Sequence, residues 1–182
     1  MMQKLIQAAN ETRVKLAIIG DGLLDVYVHG RLESGQDDCP KFVEETRVVV
    51  DGGAANAARS LSHWNAEVRL WSGQRPTKTR YVVNGKYVFR ADYDNVVPTQ
   101  HEKRVACLHE VMAFNPAALL ISDYDKGFMD ESLIRTLIKY AKKMGIPVVA
   151  DAKRHSDIYL GAIIKCNYAY TQSSTWAQAI IS

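Results

Sequence analysis

The residues best suited to holding a ligand run from Asp51 through Gly52-Gly53-Ala54-Ala55-Asn56-Ala57-Ala58 to Arg59. An apolar β-branched run, Val48-Val49-Val50, leads into them, and an alanine-rich segment that reads as a helix follows. Gly52 and Gly53 carry no Cβ, so the backbone can turn sharply there and come close to a bound molecule. The unpaired N–H groups of the helix's first turn would point at that molecule. Asn56 adds a side-chain donor and acceptor at the same place. An ordinary glycine turn before a helix is the simpler alternative; the small residues continuing through Ala58 favour a ligand site. Asp21 and Asp25 follow a second apolar run, Val14 to Ile19, and Asp123 and Lys126 follow a third, Ala117 to Ser122. Carboxylates just beyond the C-terminal ends of parallel strands lie where α/β folds bind ligands. Turn formation or helix capping is the competing use of Asp21 and Asp25, and a plain surface loop the alternative for Asp123 and Lys126. Lys126 would offer a point charge to a phosphate.

These groups need elements to position them. Val14 to Ile19, Glu67 to Trp71, Ala117 to Ser122 and Ile146 to Ala150 are short apolar runs of the kind found in buried parallel strands. Helical segments separate them: Gly53 to about His63, then Thr99 to about Phe114 after Pro98, then a helix capped by Asp130 or a neighbour and stopped by Gly145. Gln3 to Thr12 reads as a further short amphipathic helix, and Thr171 to Ser182 as a short helix or tail. The alternation predicts a mostly parallel sheet. Residues 26–30 and 42–50 alternate in polarity around a polar loop and read as two lid strands standing off that sheet. Residues 79–83 and 86–91 form a hairpin around Asn84-Gly85, a strong two-residue turn signal.

The composition sets limits. The 182 residues are 47% hydrophobic and 24% charged, as in an ordinary globular chain able to bury a core. A net charge of +3, with scattered basic residues, gives no argument for nucleic acid. Cys39, Cys107 and Cys166 are odd in number and far apart, which suits a reducing compartment rather than a disulfide framework. No apolar run has transmembrane length, and Met1 to Arg13 lacks a signal core, so the expectation is a cytoplasmic protein with no membrane partner.

The same stretches, in the same order, resemble the signatures of the ribokinase-like (phosphofructokinase-B) carbohydrate kinases, in particular the heptose-phosphate kinase half of bifunctional ADP-heptose synthase. Gly20-Asp21-Gly22-Leu23-Leu24-Asp25 is similar to the family's opening motif, whose last aspartate holds sugar hydroxyls. Asp51 to Arg59 is similar to its first signature. Asp123-Tyr124-Asp125-Lys126-Gly127 looks like its Ser-Asp-Tyr-x-Lys-Gly motif, and Asp151-Ala152-Lys153 its Asp-Pro-Lys. The strand ending Lys165-Cys166-Asn167 resembles one ending Lys-Pro-Asn. The resemblance implies a three-layer α/β fold with a protruding β lid. It places Asp21, Asp25, Gly52, Gly53, Asn56, Asp123 and Lys126 at the sugar, and Lys153 and Asn167 on the phosphate or nucleotide side. Arg90 lies near the substrate in such kinases; a solvent-facing arginine is the equal alternative. ATP and Mg²⁺ are implied as cofactors, a sugar or sugar phosphate as ligand, and a homodimer through the lid as the assembly.

The likeness covers nearly all of the chain but only about half of such a kinase, so the expectation is one truncated ribokinase-like domain over residues 1–182. After Trp71, Ser72-Gly73-Gln74-Arg75-Pro76 passes straight to Thr77, where the family carries an aspartate pair and a helix. Tyr170 stands where the family has a glutamate in its magnesium network, and a tyrosine is no substitute for a carboxylate toward a hard cation. No Gly-Ala-Gly-Asp motif, the carrier of the family's catalytic base, occurs in the sequence. Three functions remain open: a sugar-kinase relative, a non-catalytic sugar-phosphate binder or regulator, and a Rossmann-like nucleotide binder. The last lacks the dinucleotide glycine pattern.

Overall fold

The computed structural model describes residues 13–35, 39–94, 96–153, 157–165 and 180–181. Its main sheet has six strands, all parallel, in the order β10-β9-β8-β7-β1-β4. These are β1 (Val14–Gly20), β4 (Ala66–Ser72), β7 (Ala118–Asp123), β8 (Val148–Ala152), β9 (Ile163–Lys165) and β10 (Ile180–Ile181). The central pair, β1 and β7, carries apolar side chains on both faces because both faces are covered. Ala17, Ile19, Leu119 and Ile121 join one core cluster with helices α2 (His101–Phe114) and α3 (Glu131–Met144). Ile18, fully buried, alternates to the other face, the side where α1 (Ala54–Leu61) packs on β1 and β4. The result is the expected three-layer α/β fold.

Helix α3 shows how local sequence builds this layer. Leu133, Ile134, Leu137, Ile138 and Ala141 recur at helical spacing and are all buried. Asp130 caps it, its Oδ1 accepting a hydrogen bond from the Leu133 amide at 2.7 Å. Gly145 ends it in the left-handed region at φ 69°, with Lys142 and Lys143 in the last turn. In α2, Cys107 is buried, and that burial pushes its thiol up to about 12, so it serves as a small apolar core residue.

A second sheet of four strands, ordered β3-β2-β5-β6, forms the lid. It contains β2 (Gly22–Glu33), β3 (Lys41–Gly53), β5 (Thr77–Val83) and β6 (Lys86–Tyr93). Here the structure extends and corrects the sequence expectation. The lid strands are longer than 26–30 and 42–50, because β2 begins one residue after β1 ends and β3 runs on through the two glycines. Gly22 and Leu23 still pair with Gly53 and Gly52, so Gly52 is strand rather than turn. The Asn84-Gly85 hairpin is part of the same lid, joined to it by parallel pairing of β5 with β2. Asn84 at φ 49° and Gly85 at φ 75° supply the double left-handed turn that the dipeptide favours. β4 passes to β5 through four residues with no intervening helix, in line with the expected deletion. α1 stops at Leu61, short of the expected end near His63. β8 is Val148–Ala152 rather than 146–150. The expected helix over 3–12 lies outside the described residues, as does most of 171–182; within the latter, Ile180–Ile181 is a strand.

Candidate functional site

Asp21 is the single residue between β1 and β2, and it is fully buried. Every polar group it carries is spent on the fold. Its amide donates to Ser122 O at 3.0 Å, and its carbonyl accepts from the Ala54 amide at 3.0 Å. Its carboxylate accepts from the Tyr124 amide at 2.8 Å and the Phe128 amide at 3.0 Å. Burial raises its pKa, and the backbone amides of Tyr124, Phe128 and Lys126 pull it partly back. Asp21 therefore fastens the lid's root, the start of α1 and the loop after β7 into one junction. The first amide of α1 is used up in this way and is not open to a ligand.

Asp123 is likewise fully buried. Its Oδ1 accepts from the Asp125 amide at 2.8 Å, and its Oδ2 accepts from the Tyr159 hydroxyl. Its carbonyl accepts from the Lys153 amide at 3.1 Å. Oδ1 thus shapes the 124–128 loop, which turns through left-handed Asp125 and Gly127, at φ 56° and 88°, while Oδ2 ties Asp123 to Tyr159. Tyr159, in the 3-10 turn Asp157–Tyr159, has a place here that local sequence did not signal.

Asp25 is differently placed. It lies on β2, with its side chain 14% exposed, and its Oδ1 accepts from Arg80 Nη1 at 2.6 Å. Its Oδ2 lies directly over Gly52, where an added Cβ would come within 2.2 Å. Gly52 is needed for that close approach rather than for an unusual φ. Asn56 is exposed on α1; its Oδ1 accepts from Arg59 Nη1 at 2.8 Å, and Arg59 Nη2 donates to Asp51 O at 2.7 Å. The glycines and Asp25 thus lie on the lid side of Asp21, and Asp123 with its loop on the β7 side, all at the C-terminal ends of β1 and β7.

Between these two sides sits a group of cations. Strand register aligns Asp25 with Lys78 and Lys78 with Asp92, while Arg80 aligns with Arg90, so all of them share one face of the lid. Arg90 is exposed and pairs with Asp92 at 2.5 Å. Lys126 pairs with Asp94. Lys78 Nζ lies 5.5 Å from the centre of the Tyr124 ring, and Lys153 Nζ lies 5.7 Å from the same centre. Burial pushes the Tyr124 hydroxyl's pKa up, and the Asp151 and Asp25 carboxylates push the same way. Lys165 opposes them and pairs with Asp151 at 3.1 Å. Lys78 and Arg80 were not singled out from the sequence. Their alternation with Arg90 across a legible hairpin was the available signal. Asn167 and Tyr170 lie outside the described residues.

The described residues contain no group of three or more His, Cys, Asp or Glu placed to hold a metal ion, and no helix long and apolar enough to cross a membrane. Among the described residues, the carboxylates around these cations are already committed to arginine, lysine, tyrosine or backbone partners, so this donor set does not fit Mg²⁺. A cavity of about 630 Å³ opens elsewhere, beside edge strand β4 and α2, against Trp71, Pro98, Cys107 and Phe128.

No protein-family model matches the chain. Among curated proteins it is similar to the bifunctional protein HldE of Hyphomonas neptunium, 29% identical over 183 residues, covering 82% of this chain and 38% of that protein. The chain therefore spans about two fifths of the length of that relative. Among solved structures it is similar to a putative phosphofructokinase from Staphylococcus aureus, with TM-score 0.60 and 10% identity, covering 87% of this chain and 61% of the other. It is also similar to phosphofructokinase-2 from Escherichia coli in its tetrameric inhibited form, with TM-score 0.57, 16% identity, and coverage of 87% and 62%.

Proposed function

From the premise of a ribokinase-like carbohydrate-kinase fold with HldE proteins for relatives, we propose that the cleft between lid and main sheet binds a phosphorylated sugar of the heptose-phosphate kind. The observation that carries this reading is the Asp25 carboxylate held over Gly52 by Arg80, at the root of the lid and beside the C-terminal ends of β1 and β7. In it, Asp25 accepts hydrogen bonds from sugar hydroxyls, and Gly52, having no Cβ, leaves room for that carboxylate while Gly53 packs on Asp21 and Leu23. Asn56 and Arg90 flank it, Asp21 and Asp123 hold the walls, and Lys126 and Lys153 bring positive charge. Each hydrogen bond to a charged group contributes about 1.5–3 kcal/mol net. A few of them support binding on the order of micromolar to millimolar after the entropy of association.

Phosphoryl transfer needs more than this pocket. ATP and Mg²⁺ are what the resemblance to carbohydrate kinases implies, with Lys153 on the nucleotide side, though the described carboxylates do not fit Mg²⁺. The sequence has no Gly-Ala-Gly-Asp motif to supply a base, and losing a base costs about 10²–10⁴-fold. These 182 residues by themselves are therefore expected to bind a sugar phosphate while transferring phosphate slowly or not at all. Calorimetry with heptose, hexose and pentose phosphates, beside an ADP-release assay, checks both halves. Failure of every sugar phosphate to bind would remove the proposal; robust turnover would remove the non-catalytic half of it.

The lid also supports a homodimer. Val48, Val49, Val50, Tyr87 and Phe89 leave between 38% and 68% of their surface exposed on its strands. Apolar surface of this kind on a sheet with open edges calls for a partner. Sedimentation at high micromolar concentration is expected to give a dimer, and a charged substitution at Val49 to shift it toward monomer. A wild-type monomer under those conditions would exclude the assembly.

A further inference from the structure

The cations lining the lid side of the cleft are not equivalent. Arg80 is taken up by Asp25, Arg90 by Asp92, and Lys126 by Asp94. Lys78 lies between Asp25 and Asp92 in the strand register, with one carboxylate on each neighbouring strand. Both carboxylates favour its charge, yet each is already engaged by an arginine, and neither closes an ion pair with Lys78. The ammonium is half-buried and turned instead to the ring of Tyr124. Burial pushes its pKa down, and Arg90 and Lys126 push it further the same way. A cation that is partly desolvated, crowded by like charge and without a carboxylate partner among the described residues gains more from an incoming dianion than a cation already paired. Its position matters too. Lys78 is on the lid, directly opposite Asp25 in the strand register, so an anion held by it would lie beside a sugar held by Asp25. Lys153, just past the end of β8, also lies near that ring, at 5.7 Å from its centre.

We propose that Lys78 is the specificity-determining residue of the cleft, the one that selects a sugar bearing a phosphate monoester over its neutral counterpart. The selection is a difference of affinities: the neutral sugar leaves Lys78 unpaired, and the phosphorylated sugar pairs it. This rests on the reading of Asp25 as the sugar ligand for its sugar half only; the anion half stands on Lys78 and its neighbours.

The experiment is calorimetric titration of the full chain with sedoheptulose 7-phosphate, sedoheptulose and inorganic phosphate. The variants are Lys78→Met, which keeps the aliphatic stem, and Lys78→Arg, which keeps the charge; thermal melts check that both are folded. The wild type is expected to prefer the phosphorylated sugar by about tenfold or more, the worth of one charge-assisted hydrogen bond. Lys78→Met is expected to bring that preference within about twofold, while Lys78→Arg keeps most of it. A folded Lys78→Met that retains the wild-type preference overturns the proposal. If neither sugar binds but inorganic phosphate does, and Lys78→Met abolishes that binding, the sugar reading falls and the anion role of Lys78 stands. A wild type that binds neither phosphate nor sugar overturns both.

Discussion

Asp21→Ala is expected to destabilise the fold by about 2–6 kcal/mol, taking about 1–3 for each of two backbone amides left buried without an acceptor. Those amides, of Tyr124 and Phe128, belong to a loop more than a hundred residues downstream. The chain in this size class loses roughly 2–4 °C of Tm per kcal/mol, so the melt should fall by roughly 5–20 °C. Asp21→Asn tests the role of charge. It keeps one acceptor and turns an NH₂ toward an amide that needs an acceptor. Because burial raises the folded-state pKa of Asp21 above the ordinary value of 3.8, the protonated form is the one the fold favours. Its advantage is full below the unfolded pKa and is lost as pH rises through the folded one. The stability of the wild type relative to Asp21→Asn should therefore decline from acid toward neutral pH. Urea melts over that range measure it; a loss below about 1 kcal/mol for Asp21→Ala would mean that water replaces the carboxylate.

Asp25→Ala is expected to weaken sugar-phosphate binding by about 10–100-fold, the worth of one or two hydrogen bonds to a charged group. Truncation also releases Arg80, so part of the effect would come from an arginine free to move in the cleft. Gly52→Ala separates these causes. Its Cβ would come within 2.2 Å of Asp25 Oδ2 and displace that carboxylate without deleting it. A comparable loss of affinity in Gly52→Ala, in a protein that still melts cooperatively, would locate the effect in the position of the carboxylate. Unchanged affinity in both variants would remove Asp25 from the site.

What the sequence made legible was local. The runs that became β1 and β7 are apolar on both faces whatever they pack against. Asn84-Gly85 specifies its own left-handed turn, and Asp130 and Gly145 bound α3 through bonds that span three or four residues. The parallel pairing of β5 with β2 is not local: some fifty residues separate the partners. That pairing sets Lys78 and Arg80 beside Asp25, and the local hairpin adds Asp92 on the other side of Lys78. Asp21 and Asp123 read as ligand aspartates because short motifs carry them to strand ends. Their burial, and the amides and tyrosine that engage them, depend on chain segments that no motif identifies. The lid was legible as two strands but not as four, since the hairpin carries no mark of what it joins.

The junction at Asp21 also has a consequence for the order in which the chain assembles. The four lid strands lie within residues 22–93 and leave the ribosome before β7 has been made. β1 can meet β4 early, but it must wait for residues 118–122 before gaining its central neighbour. The carboxylate of Asp21 therefore stays solvated until Tyr124 and Phe128 have been made, and closing its loop to them works against chain entropy. A contact formed that late counts for little in the rate-limiting step of folding and for much in resisting its reversal. Loss of Asp21 is therefore expected to shorten the lifetime of the native state more than it delays its formation.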